Sequence, residues 1–151
     1  MPTLRNAADR KRLLDRLAEV TPASKPLWGR FDAPRMVCHL GDALDEALGR
    51  RVMPRLAPGV ASAMLRRFPM KHLAIYVIPM PRNAKAPREL LADEPGDFEA
   101  NRRRVVESIE QLTKKPSGPA PEHFLFGSMT WERWNRLGWK HIDHHLRQFG
   151  N

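Results

Sequence analysis

TWERWNRLGWKHIDHHLRQFG, residues 130–150, is the stretch on which the fold turns. An α-helix advances about 100° and about 1.5 Å per residue, so positions three and four apart share a face. Trp134, Leu137, His141, His145 and Gln148 form one such stripe; Trp131, Ile142, Leu146 and Phe149 form the adjoining one. Large apolar neighbours on both sides turn the two histidines inward. A buried imidazole without a partner costs about 1–3 kcal/mol. His141 and His145 sit about 6 Å apart along the helix axis, and one metal ion would satisfy both. The spacing predicts a helix from near Thr130 to Phe149 or Gly150.

A facing helix can supply a third nitrogen. Asp32 suits an N-cap, and Pro34 falls in the first turn, where its missing N–H costs nothing. The helix that follows runs to about Leu48, with Gly49 placed to end it. Met36, Leu40, Ala43, Leu44 and Ala47 make its core stripe, and His39 borders them. Three protein nitrogens with one open position is the usual form of a catalytic metal site. The candidate ligands are therefore His39, His141 and His145. His144 could replace either C-terminal ligand, but it points about 60° away from His141 and reads as a flank residue. His72 and His123 lie in less regular segments and read as structural, although His123 could approach the mouth of the bundle.

Two further helices complete the frame. Asn6 to Val20 carries Leu13, Leu14, Leu17 and Ala18 at helical spacing and ends at Thr21 and Pro22. Asp97 caps a third long helix to Thr113, with Val105, Val106, Ile109 and Leu112 inward. Between Pro54 and Pro95 prolines recur. Gly59 to Phe68 could be a short helix, Leu73 to Ile78 could be helix or strand, and Pro79 to Pro87 is expected to be extended. Lys114 to Pro121 reads as a loop. No repeat or low-complexity tail appears.

Composition narrows the functional classes. The chain has 151 residues, 42% hydrophobic and 28% charged, which fits one globular domain over 1–151. No run reaches the roughly 18 apolar residues of a membrane span. Met1 to Arg16 is charged throughout and has no apolar signal core, and the single cysteine, Cys38, forms no intrachain disulfide and no CxxC pattern. A reducing cytoplasm is the expected compartment. The net charge is +9, yet the basic residues are spread along the chain without the aromatic interleaving that stacks bases. A solvated basic surface is expected, with nucleic-acid association the alternative. Cys38 and His39 diverge by about 100° on a helix and do not form a nucleophilic pair. No phosphate loop, dinucleotide fingerprint or Gly-x-Ser-x-Gly elbow is present.

The stretches Met36–Leu44 (MVCHLGDAL), Pro79–Leu90 (PMPRNAKAPREL), His123–Trp134 (HFLFGSMTWERW) and Lys140–Gly150 (KHIDHHLRQFG) resemble the DinB-like superfamily, also called YfiT-like metal-dependent proteins. The similarity is greatest to a branch known only as a domain of unknown function. It implies an all-α fold: a four-helix bundle with a long crossover between helices 2 and 3. It implies a divalent ion, zinc or nickel, on His39, His141 and His145. It also implies a small-molecule substrate, in some branches a low-molecular-weight thiol, and a homodimer through an exposed helix face. The chain departs from the family pattern at His123-Phe124, where His-Pro is expected.

On chemistry alone, a divalent ion on three neutral imidazoles keeps its full charge. It can carry bound water or thiolate as a nucleophile near pH 7. Asp42, one turn from His39, could accept a proton or simply face solvent. Asp143 points about 200° from His141, and Arg147 and Gln148 could orient ligands or substrate. A metal-dependent transferase or hydrolase predicts bound metal and a solvent-connected cavity beside the histidines. A non-catalytic bundle with structural histidines predicts a closed site.

Overall fold

A computed structural model describes residues 1–54, 59–82 and 94–151. Its elements in chain order are α1 (Ala7–Glu19), α2 (Ala33–Ala47), α3 (Val60–Arg66), α4 (Met70–Tyr76), α5 (Phe98–Thr113), β1 (Pro119–His123), β2 (Gly127–Thr130) and α6 (Trp131–Gln148). Side-chain caps set the starts of the four long helices. Asn6 accepts from the Asp9 N–H, Asp32 from Arg35, Asp97 from Ala100 and Thr130 from Arg133. Each satisfies one of the four N–H groups a helix start leaves open.

Helix α2 is the central element, buried on nearly every side from Ala33 to Ala47. It packs broadly on α5 and also touches α6 and β1. The core joins Leu13 and Leu17 of α1, Met36, Leu40 and Leu44 of α2, Val105, Ile109 and Leu112 of α5, and Ile142 and Leu146 of α6. Gly138 lets α6 come close to the N-terminal segment: a Cβ there would sit 3.0 Å from Leu4 Cδ1.

The expected all-α fold needs correction. Among the described residues the chain is mostly helical, with six helices and a two-stranded antiparallel sheet. Pro119 pairs with Thr130, Ala120 with Met129 and His123 with Gly127, with an irregularity between Ala120 and His123. The prolines that suggested a loop sit in β1, a strand of a two-stranded ribbon, where a missing N–H is tolerated on the unpaired side. The ribbon is held from the helices: Trp134 Nε1 donates to the Pro121 carbonyl at 2.8 Å, and Glu46 Oε1 accepts from the Phe124 N–H at 2.9 Å. The ambiguous run at Leu73–Ile78 falls in helix α4 and the turn after it. Much of the expected crossover, residues 83–93, lies outside the described residues. No helix among the described residues is long and apolar enough to cross a membrane.

Candidate metal centre

His39 comes from α2, and His141 and His145 come from α6, where the four-residue spacing puts both rings on one face. The three Nε2 atoms converge. His141 Nε2 lies 3.1 Å from His39 Nε2 and 3.1 Å from His145 Nε2, and all three candidate donor atoms lie within 4.8 Å of one another. His39 and His145 are buried, while His141 keeps partial exposure. Phe31, just ahead of the Asp32 cap, covers the cluster. Its ring is stacked on His145 at 5.7 Å and tilted against His39 at 5.2 Å.

The chain sets the orientation of one imidazole. Gln148 Nε2 donates to the Trp28 carbonyl at 2.7 Å, so the amide oxygen faces His145, 2.8 Å from its Nδ1. An amide oxygen only accepts, so His145 carries its proton on Nδ1 and turns the Nε2 lone pair to the cluster. Gly29 makes this possible. It is left-handed, with φ +82°, and a Cβ there would stand 2.4 Å from Gln148 Nε2. Only glycine both adopts that backbone readily and leaves room for the amide.

Three nitrogens facing one another need something electropositive between them. A proton on His141 Nε2 can serve one neighbour well and leaves the other with a poor angle. A proton on His39 leaves the His141 and His145 lone pairs opposed. A cation satisfies all three. Tetrahedral zinc with bonds of about 2.0–2.1 Å would place its nitrogens about 3.3 Å apart, close to the two 3.1 Å separations on His141; the His39 and His145 nitrogens, within 4.8 Å, would draw together around the ion. Loss of water around the His145 ring, followed by repulsion from His39, pushes its pKa to about 3. Burial, then His145 and His39, pushes His141 well below the ordinary range; surrounding protein atoms dominate despite its residual exposure. Neutral imidazoles at physiological pH are what a metal requires.

The other candidates fall elsewhere. Asp42 is buried, but it pairs with Arg51 at 3.0 Å and Arg104 at 2.8 Å, which gives it a structural role joining α2 to α5. Asp143 pairs with Arg16 at 2.7 Å and Arg147 at 3.0 Å. His144 stands edge-on to Trp28, beside the cluster rather than in it. His72 stacks on Tyr76. His123 is buried against Phe124, Phe126 and Trp134. Its Nδ1 accepts from Leu125 and Phe126 N–H, so it serves the turn between β1 and β2. Sequence reasoning missed Phe31, Gly29 and the Trp28 carbonyl. The glycine after a tryptophan in a short connection was a faint signal for a close approach.

The fold and this cluster define a mostly helical protein whose three histidines could hold a metal ion. The chain belongs to the family described as Protein of unknown function (DUF1569), whose model matches residues 14–151. No curated protein and no solved structure matches it.

Proposed function

We propose that this chain is a metal-dependent enzyme of the DinB-like type, a single domain over 1–151 that holds one divalent ion, zinc or nickel, on His39, His141 and His145. The observation that carries this reading is the convergence of three Nε2 atoms, one already turned inward by Gln148. A bound divalent ion would supply an electrophilic centre that brings a water or thiol to its anionic form near neutrality. The protein's own part is to hold three neutral imidazoles, to exclude water on the Phe31 side and to leave access at His141. The substrate is a small molecule, and the reaction is transfer using a low-molecular-weight thiol, or hydrolysis. A cytoplasmic homodimer is the form in which we place it.

A closed structural ion is the competing reading, and the burial of His39 and His145 would suit it. Partial exposure of His141, and a cavity that reaches His144, favour the catalytic one. Elemental analysis of tag-free protein tests the site. About one ion per chain is expected in the parent and none in His145→Ala. Equal metal in both would reject these ligands. With metal in place, a screen for thiol adducts of small electrophiles tests the transferase.

A further inference from the structure

Helix α6 carries a third stripe besides its core and histidine faces. Arg136, Lys140, Asp143, His144 and Arg147 follow at spacings of four, three, one and three, one residue round the helix from the histidines. They form one wall of a cavity of about 340 Å³, closed on other sides by Trp28, Arg82 and the residues after α4. That volume lies at the lower end of small-molecule sites, roughly 300–1,000 Å³. Four cationic side chains and one carboxylate line it. Asp143 is already shared between Arg147 and Arg16. Among the described residues Arg82, Arg136 and Lys140 form no ion pair.

The bland account of these cations is capping. Arg136 donates to the carbonyls of Pro2 at 2.7 Å and Tyr76 at 3.2 Å, and Lys140 donates to those of Ala74 at 2.5 Å and Ile78. These bonds tie α6 to the N-terminal segment and to the end of α4. Neutral carbonyls do not cancel charge, however, and a helix C-terminus offers only about half a negative charge. Among the described residues three cations without a salt-bridged carboxylate therefore surround a concave surface, with Asp143 and Asp9 acting on Arg136 only at longer range. Arg82 adds a flat platform: its guanidinium lies 4.7 Å over the Trp28 ring, and a guanidinium stacked in this way can still offer its N–H edge to two oxygens of a carboxylate or phosphate. Trp28 and Trp139 provide apolar wall.

We propose that this cavity binds the oxyanion of a small organic anion, a carboxylate or phosphate held by Arg82, Arg136 and Lys140, with its apolar body against Trp28 and Trp139. His144 lines the cavity and stands 5.3 Å, ring to ring, from His145. A ligand anchored there is one side chain from the histidine cluster. Its identity as the substrate rests on the metal-enzyme reading; the anion contact does not.

Calorimetric titration with 1-naphthyl phosphate and 1-naphthoate, with 1-naphthol as the neutral control, tests the proposal. Saturable binding of at least one anion is expected, weakening with salt, and the stronger of the two identifies the preferred head group. Arg82→Glu is expected to weaken it by about tenfold or more, the worth of a charge-assisted contact. Arg103→Glu, the same charge change at an exposed position of α5, should leave it within about twofold. His39→Ala should still bind the anion. No saturable binding by either anion, equal affinity of the two arginine variants, or equal binding of 1-naphthol would overturn the proposal. Metal without anion binding overturns this site alone, and anion binding without metal overturns the metal centre alone.

Discussion

His145 and His123 are both buried, and burial pushes both imidazoles down to a pKa of about 3. Their partners differ. The His123 ring closes a turn by accepting two backbone N–H groups from Leu125 and Phe126. Among the described residues the His145 ring receives nothing from the backbone at Nε2 and instead faces another histidine nitrogen. A depressed pKa therefore marks a desolvated histidine and does not distinguish a structural one from a ligand. What an imidazole lone pair meets does distinguish them. The two regions should accordingly respond differently to metal, pH and substitution.

The largest difference should come from removing a cluster nitrogen. His39→Ala or His145→Ala is expected to abolish bound metal and, with it, the rise in Tm on adding metal. An ion at a hundredfold excess over its Kd stabilises by about 2.7 kcal/mol. Differential scanning fluorimetry with and without zinc measures this. A metal-dependent rise that survives both substitutions would merge the two regions into one structural class.

The helix residue that anchors the ribbon also titrates. Burial raises the Glu46 pKa to about 7, opposed by the Phe124 N–H that it accepts. A raised carboxyl pKa means that the folded state holds a proton the unfolded chain has lost, so this contribution to stability falls as pH rises from about 4.5 to about 7. Glu46→Gln keeps an accepting oxygen for Phe124 and removes the charge. It is expected to stabilise the protein by about 3 kcal/mol at pH 8 and to have little effect at pH 4. Urea denaturation at the two pH values checks the sign, and an equal effect at both would contradict it.

His123→Phe should leave metal content untouched and cost about 2 kcal/mol, because two N–H groups lose their acceptor. Its pH signature is opposite to that of Glu46. A histidine whose folded pKa is depressed takes up its proton more readily when unfolded, so its contribution rises with pH from about 3 to about 6.5. The variant should lose that part of the slope when its urea midpoint is followed over the same range. A loss of metal in His123→Phe would show that the ribbon and the cluster are one unit.

These differences also explain what could be read from residue order. The histidine stripe of α6, the Asp32 and Asp97 caps and the burial of the α2 face follow from spacing within one helix, where side-chain direction is set by 3.6 residues per turn. The β1–β2 ribbon was illegible because Pro119 and Pro121 resemble loop breakers; its pairing depends on anchors at Glu46 and Trp134 far along the chain. Asp42 was read as a neighbour of His39 because a helix wheel shows only its own residues. Arg104, which claims the carboxylate, comes from α5. The orientation of His145 needed both kinds of information. Gln148 lies one turn away and is visible in the stripe, but the Trp28 carbonyl that turns its amide is 120 residues distant.

That tertiary half of the device yields the smallest predicted effect. Gly29→Ala places a methyl against the Gln148 amide and asks for a left-handed backbone that alanine resists. The amide must shift, and His145 then loses the acceptor that holds its proton on Nδ1. The three nitrogens remain, so the ion should still bind, with affinity lowered by about tenfold, the low end of what outer hydrogen-bonding partners contribute. Gln148→Leu removes the same acceptor without backbone strain and should give a similar loss. Competition with a chromogenic chelator measures both. If Gln148→Leu binds metal as tightly as the parent while Gly29→Ala does not, the glycine acts through the backbone of the Trp28–Asp32 connection, and the Phe31 ring it carries, rather than through the amide, becomes the element that shapes the cluster.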